Sequence, residues 1–312
     1  MNLKLKRVGA VLLLGIPTIG ICQTIDPFYS GNYSFVDLGS VPGVPSNYGG
    51  LTTLAGNANT LLIGGAANTA NGNLYSIAVT RDGSGHISGF TGSAAVFASA
   101  PFNDGGVTYG PGGVLFASRW PSNELGQYKP GSVAPDKVID LAALGVAGSN
   151  SAVAFGPAGF TFAGRMKLSS WSGGQFYDAT YAPDGLGTYN VTGVAQTATL
   201  AGGPEGFAYV PLTSPLFAGQ NMIVSEYSAG NVATYQVDAN GDPIIASRRD
   251  FMTGLSGAEG AFIDPVTGDF LFSTFGGGSR VIRVSGFAVP EPGTMIALAA
   301  GAALVALIRR RK

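Results

Sequence analysis

At 312 residues the chain is long enough for one large domain or two average ones. Only 11% of residues are charged against 46% hydrophobic, while 49 Gly and 18 Pro call for many tight turns; this excludes both disorder and a long-helix architecture. The formal net charge is −1 and seven of the 17 basic residues sit at the two ends, so the middle carries no basic stripe and a nucleic-acid partner is not expected.

Residues 1–23 have the layout of a secretory signal peptide. Lys4, Lys6 and Arg7 form a basic start, an apolar run from Val8 to Ile21 contains Pro17, and polar Gln23 and Thr24 follow. A run of ~14 residues falls short of the ~20 that span a bilayer, which favours a signal handled by the Sec machinery and signal peptidase over a permanent anchor. The only cysteine, Cys22, ends this run, so the exported domain is expected to hold no disulfide. Ile21 stands where an acylated lipoprotein would carry Gly or Ala.

Residues 33–38 alternate like a strand and belong to no later unit. Beyond them one phrase recurs five times: a polar residue, one or two Gly, an alternating apolar strand, a turn with Pro or Gly, and a second strand. The copies open at Tyr48, Asp104, Asn150, Glu205 and Glu259, with second strands from Thr60, Val114, Phe160, Met222 and Phe270. Measured at Ala55, Pro111, Pro157, Pro211 and Pro265, the steps are 56, 46, 54 and 54 residues, the span of a four-stranded propeller blade. Asp82-Gly-Ser-Gly, Asp184-Gly-Leu-Gly and Asp238-Ala-Asn-Gly punctuate the second halves, the last returning through Ile244, where Gly and Asn supply the positive φ of hairpin turns. The fifth copy has a third strand at Val281 and no fourth, so residues 33–38 are predicted to close the ring as the outer strand of the last blade, hiding two edges. The expected fold of residues 24–288 is all-β, a five-bladed β-propeller, with six blades or a β-sandwich as alternatives. An N-terminal signal helix and a C-terminal transmembrane helix flank it.

Residues 289–312 form a tripartite tail. Pro290, Glu291 and Pro292 lead into an apolar stretch from Met295 to Ile308, and Arg309, Arg310, Arg311 and Lys312 follow. The basic cluster stops transfer on the cytoplasmic side and leaves the Pro-flanked Glu291 outside. This order closely resembles the PEP-CTERM sorting signal of Gram-negative bacteria. The resemblance implies transient anchoring in the inner membrane, cleavage near Pro-Glu-Pro by an exosortase, and delivery to the cell surface or extracellular matrix. It also implies a cell that makes exopolysaccharide, a candidate partner.

In a propeller the residues that open the repeats gather at one mouth of the channel. Asp104, Asn150, Glu205 and Glu259, beside Tyr48 of the first blade, are therefore the candidate channel ligands. Oxygen donors from several blades suit Ca²⁺, which takes six to eight of them; polar caps for channel-facing backbone and water are the structural alternative. Pro204-Glu205-Gly206 and Ala258-Glu259-Gly260 resemble the opening phrase of lactonase-type and NHL-like propellers, which implies a carboxylate that helps to hold a divalent cation.

No catalytic set is assigned. A Ser-His-Asp arrangement would need His86, the only histidine, which falls on an outer turn. Asp238, Asn240 and Asp242 space their oxygens like the front of a calcium loop, yet Arg249 stands where its last Glu belongs, so an exposed hairpin is expected. Trp120 and Trp171 lie near blade loops, where such rings grip sugars or, more often, pack blade against blade. Two functions fit: a non-enzymatic surface or matrix propeller that binds a polymer or partner through one face, or a secreted metal-dependent lactonase or hydrolase using Glu205 and Glu259.

Overall fold

A computed structural model describes residues 23–289. The signal peptide as far as Cys22, the motif residues Pro290, Glu291 and Pro292, the apolar helix and the Arg309–Lys312 cluster lie outside the described residues. Two strands, β1 (Thr24–Ile25) and β2 (Ser34–Gly39), precede the blades. The first blade is built of β3 (Leu51–Leu54), β4 (Asn57–Gly65), β5 (Asn73–Arg81) and β6 (Ile87–Ser99). The second holds β7 (Asn103–Tyr109), β8 (Leu115–Arg119), β9 (Glu124–Tyr128) and β10 (Lys137–Asp140), and the third β11 (Asn150–Phe155), β12 (Met166–Ser170), β13 (Gln175–Pro183) and β14 (Tyr189–Thr199). The fourth comprises β15 (Pro204–Tyr209), β16 (Asn221–Glu226), β17 (Asn231–Gln236) and β18 (Arg249–Thr253), and the fifth β19 (Phe262–Ile263), β20 (Phe270–Ser273) and β21 (Val281–Ser285). Pairing is antiparallel throughout, and β3, β7, β11, β15 and β19 neighbour one another in a closed circle, so the fold is a five-bladed β-propeller.

The N-terminal segment stitches two blades. β2 is the outer strand of the fifth, with Phe35 opposite Val284, while β1 adds a fifth strand to the fourth, with Thr24 opposite Thr253. Between them Tyr29 and Tyr33 are buried against Phe217, Phe251 and Phe287. The Tyr29 hydroxyl lies 2.9 Å from Thr234 Oγ1 and that of Tyr33 donates to the Pro215 carbonyl at 2.5 Å, so both phenols are anchored as well as buried. At two residues, β1 is too short for any periodicity to announce it.

Two local expectations are corrected. Phe160 does not open the second strand of blade three: Gly156 N–H donates to the Arg165 carbonyl at 2.9 Å and Gly164 N–H to that of Gly156 at 2.8 Å, which folds residues 157–165 into turns. Phe160 and Phe162 are buried there against Tyr209, and the strand begins at Met166. Its charged Lys167 hides the strand in the sequence, yet this side chain is fully buried, with Nζ 2.6 Å from Asp242 Oδ1 and 3.0 Å from Asp178 Oδ1. In blade four the return strand begins at Arg249 and not at Ile244, because Ile245–Ser247 form a single 3₁₀ turn. The Asp238–Asp242 turn is held from within and by blade three: Asp238 Oδ1 accepts the N–H groups of Asn240 and Asp242, Asn240 Oδ1 accepts from Arg165, and Asp242 serves Lys167.

The joint between blades one and five is ionic. Arg81, at the end of β5, holds the fully buried Asp264 through two bonds of 2.6 and 3.0 Å, and His86 Nδ1 lies 2.7 Å from Asp269 Oδ2. Removing one partner of a buried pair leaves a charge that neither water nor protein compensates. Arg81→Met is therefore expected to destabilise the protein by about 3–5 kcal/mol, seen as a lowered urea midpoint. Adding Asp264→Asn should recover part of that loss.

Candidate metal centre

The innermost strands are irregular where they begin. The register of β15 against β16 slips between Pro204 and Gly206, that of β11 against β12 between Asn150 and Ala152, and that of β7 against β8 between Asn103 and Val107. Glu205, Ser151 and Asp104 fall in those slips, so each sits on a bulge that re-aims its side chain. Glycine follows both carboxylates. A Cβ on Gly105 would overlap the Glu205 carbonyl, one on Gly206 would overlap that of Glu259, and one on Gly260 would stand 2.8 Å from Gly50 Cα. The blades come this close only because these positions lack side chains.

Hydrogen bonds then link the blades in sequence around the neck. Gly50 N–H donates to the Asp104 carbonyl at 2.7 Å, and Ser118 Oγ to that of Ser151 at 2.7 Å. Ser151 Oγ donates to the Pro204 carbonyl at 2.6 Å, Ser225 Oγ to that of Gly260 at 3.0 Å, and Ser273 Oγ to that of Gly49 at 2.6 Å.

Asp104, Glu205 and Glu259, from blades two, four and five, meet inside this ring, with one carboxylate oxygen of each within 4.8 Å of those of the other two. Their exposures are 0%, 5% and 1%. Asp104 Oδ2, Glu205 Oε2 and both oxygens of Glu259 receive no donor from outside the cluster, although a retained proton would let Asp104 bond to Glu205 and to Glu259. The Asn68 amide, oriented to satisfy its neighbours, donates to Asp104 Oδ1 at 3.0 Å and to the Asn103 carbonyl at 3.1 Å. Burial, above all, pushes the Asp104 carboxyl up to about 7. Burial also pushes Glu205 and Glu259 well above the ordinary carboxylate range, and the negative charge of Asp104 adds to both. Such a cluster holds either protons or a cation. All-oxygen donors with four unpartnered atoms fit a hard divalent ion such as Ca²⁺.

The other channel candidates point elsewhere. Asn150, at the start of β11, gives its amide to the Glu124 carbonyl at 3.2 Å, facing blade two, and its Oδ1 is unpartnered. The bulge position matching Glu205 is Ser151, which a count of six residues back from Pro157, Pro211 and Pro265 would have found. Tyr48 is turned into the core of blade one, its hydroxyl accepting the Val41 N–H at 2.8 Å. Asn68, in the loop after β4, carries no repeat signal in the sequence. Trp120 and Trp171 do pack blade to blade, edge to face at 6.4 Å.

Solved structures similar in shape include the PQQ domain of a pyranose dehydrogenase from Coprinopsis cinerea, with TM-score 0.47 and 12% identity over 85% of this chain and 97% of that one. A family AA12 carbohydrate-active enzyme from Trichoderma reesei scores 0.49 at 9% identity, covering 87% and 98%. An auxiliary nutrient binding protein from Bacteroides thetaiotaomicron scores 0.47 at 10% identity, covering 85% and 68%. No curated protein matches the chain. Residues 288–312 match the PEP-CTERM protein-sorting motif, which implies export and exosortase sorting at a Gram-negative membrane.

Proposed function

We propose that this is an exported binding protein whose propeller holds a divalent cation at its channel neck, with Ca²⁺ the best-fitting ion, and which is delivered to the cell surface or extracellular matrix. The observation that carries the reading is the convergence of three buried carboxylates with four unpartnered oxygens and, among the described residues, no ion pair to any of them. Asp104, Glu205 and Glu259 would hold the ion, which would offset two of their three charges, a retained proton the third, and would tie blades two, four and five together. A metal-dependent hydrolase would also need such a convergence. Binding is favoured because the three carboxylates are 0 to 5% exposed, which leaves an ion held there little open face for a substrate. If hydrolysis is nonetheless the function, calcium-loaded protein should turn over lactone or ester substrates, and neutral Glu205→Gln should not.

The raised carboxyls set the pH dependence. Between the unfolded carboxylate pKa, near 4, and the folded value of about 7 for Asp104, the folded state keeps a proton that the unfolded state has lost. Stability of the cation-free protein is thus greatest below that window and falls as pH rises through it. A cation removes the loss, so Ca²⁺ at a hundredfold excess over its Kd is expected to raise Tm by roughly 5 °C or more at pH 8, and much less at pH 5. Differential scanning fluorimetry with Ca²⁺ or chelator checks this. Glu259→Gln should abolish the calcium effect and raise the cation-free Tm at pH 8; an unchanged calcium response in that variant would refute the site.

Sorting has its own test. Deleting residues 289–312 should send the protein into the medium or leave it unsorted, as read by cell fractionation. Unchanged surface retention would overturn the surface-delivery reading while leaving the cation site untouched.

A further inference from the structure

Just beyond the second strand, four consecutive blades carry an aromatic residue: Trp120, Trp171, Tyr227 and Phe275. Their N–H groups make equivalent bonds, to the carbonyls of Phe102, Ser149, Gly203 and Gly257 at 2.8 to 2.9 Å, so the four rings occupy one position in the blade repeat. They run edge to face in series, with centroids 6.4, 6.2 and 6.0 Å apart and planes at 89°, 89° and 74°. Each is only partly buried. In the first blade Ala66 and Ala67 stand in this place, so the rings form an arc with one gap.

The arc borders the carboxylates. Trp171 lies against Gly203 and Tyr227 against Gly257, each glycine two residues before a neck glutamate. Burial and then the negative charge of Glu259, Glu205 and Asp104 push the Tyr227 hydroxyl up. Ser122, Ser172 and Ser228 are exposed beside the rings, and Ser228 Oγ accepts the Trp171 indole N–H at 3.1 Å. Four partly exposed rings in mutual contact at one channel mouth make a continuous aromatic strip, the kind of surface on which ligands settle.

We propose that the arc binds a neutral saccharide, with the C–H faces of pyranose rings resting on the aromatic faces and sugar hydroxyls meeting the exposed serines. Rings interleaved with hydroxyls match the two-sided chemistry of a sugar. Aromatic faces also attract organic ammonium ions, yet the neighbouring carboxylates are 0 to 5% exposed and out of reach of such a group. The proposal does not depend on a cation in the neck.

Trp120 and Trp171 are the only tryptophans in the chain, so tryptophan emission, excited at a wavelength where the 12 tyrosines do not absorb, reports on the arc alone. The full chain in mild detergent is titrated with cellopentaose and with maltopentaose, in calcium and in chelator. A saturable emission change with either sugar, in either buffer, is expected. Phe275→Ala, which keeps both reporters, and Trp171→Ala, which keeps one, should weaken the midpoint about tenfold or more, with circular dichroism unchanged. The absence of a saturable change with both sugars overturns the proposal, as does an unaltered midpoint in both variants. A response to tetramethylammonium without one to sugars also overturns it, in favour of an organic cation. Stabilisation by calcium without any sugar response overturns the arc and leaves the cation reading standing.

Discussion

Five innermost strands must pass so close around one axis that at the neck there is room for backbone and little else. Gly105 lies against the Glu205 carbonyl, Gly206 against that of Glu259 and Gly260 against Gly50, and a methyl at any of these places would push two blades apart. The bulge just before each close approach has a second effect. In blades two, three and four it turns one side chain off the sheet, so an acid followed by glycine, as at Asp104 and Glu205, is a single device: the bulge aims the carboxylate and the glycine lets the facing blade approach it. Convergence of Asp104, Glu205 and Glu259 follows from the geometry that closes the ring, with serine hydroxyls bridging most of the joints.

The charges elsewhere give this convergence its meaning. Six acidic residues are buried among the described ones. Glu226 is held by Arg248 and Tyr235, Asp264 by Arg81 and Thr267, and Asp269 by His86. Even the buried Lys167 is matched by Asp178 and Asp242. Glu226, Asp264 and Asp269 each have a cationic or imidazole partner, whereas Asp104, Glu205 and Glu259 have none among the described residues. Unpaired buried carboxylates are costly, and ordinary folding gives no return for placing three within reach of one another. Retained protons or a bound cation would each relieve that cost, the protons only at a pH below the raised carboxyl values.

The blade count and the acid-glycine phrase were legible in the sequence because both are periodic. A spacing near 54 residues and the recurrent turn proline survive drift in the side chains, and Glu205 and Glu259 stand at the same distance from that proline. What escaped reading was whatever breaks period. A bulge moves the aimed residue by one, which is why Asn150 stood out where Ser151 holds the matching place. Lys167 disguised a central strand because its compensation comes from Asp178 on the neighbouring strand and Asp242 in the next blade. Asn68 reaches Asp104 from a loop, and β1 is two residues long, so neither leaves a pattern. The aromatic arc lay in plain view as separate residues. Its regularity appears only when the second strands are aligned by their pairing, because the blade lengths differ.

The two ends of the channel also differ in what they carry. Each innermost strand starts at the carboxylates and runs away from them, so the loop after β15, with Ser214, Pro215 and Phe217, lies at the opposite end from Glu205. The last described residues pack there: Ala288 N–H donates to Ser214 Oγ at 3.0 Å, and Phe287 joins the cluster of Tyr33, Phe217 and Phe251. The sorting motif, matched from residue 288, thus begins inside the packed fold and on the face away from the acidic mouth. Phe287 and Ala288, from which the chain leads into the motif, therefore sit at one end of the channel, while the carboxylates and the arc of rings occupy the other.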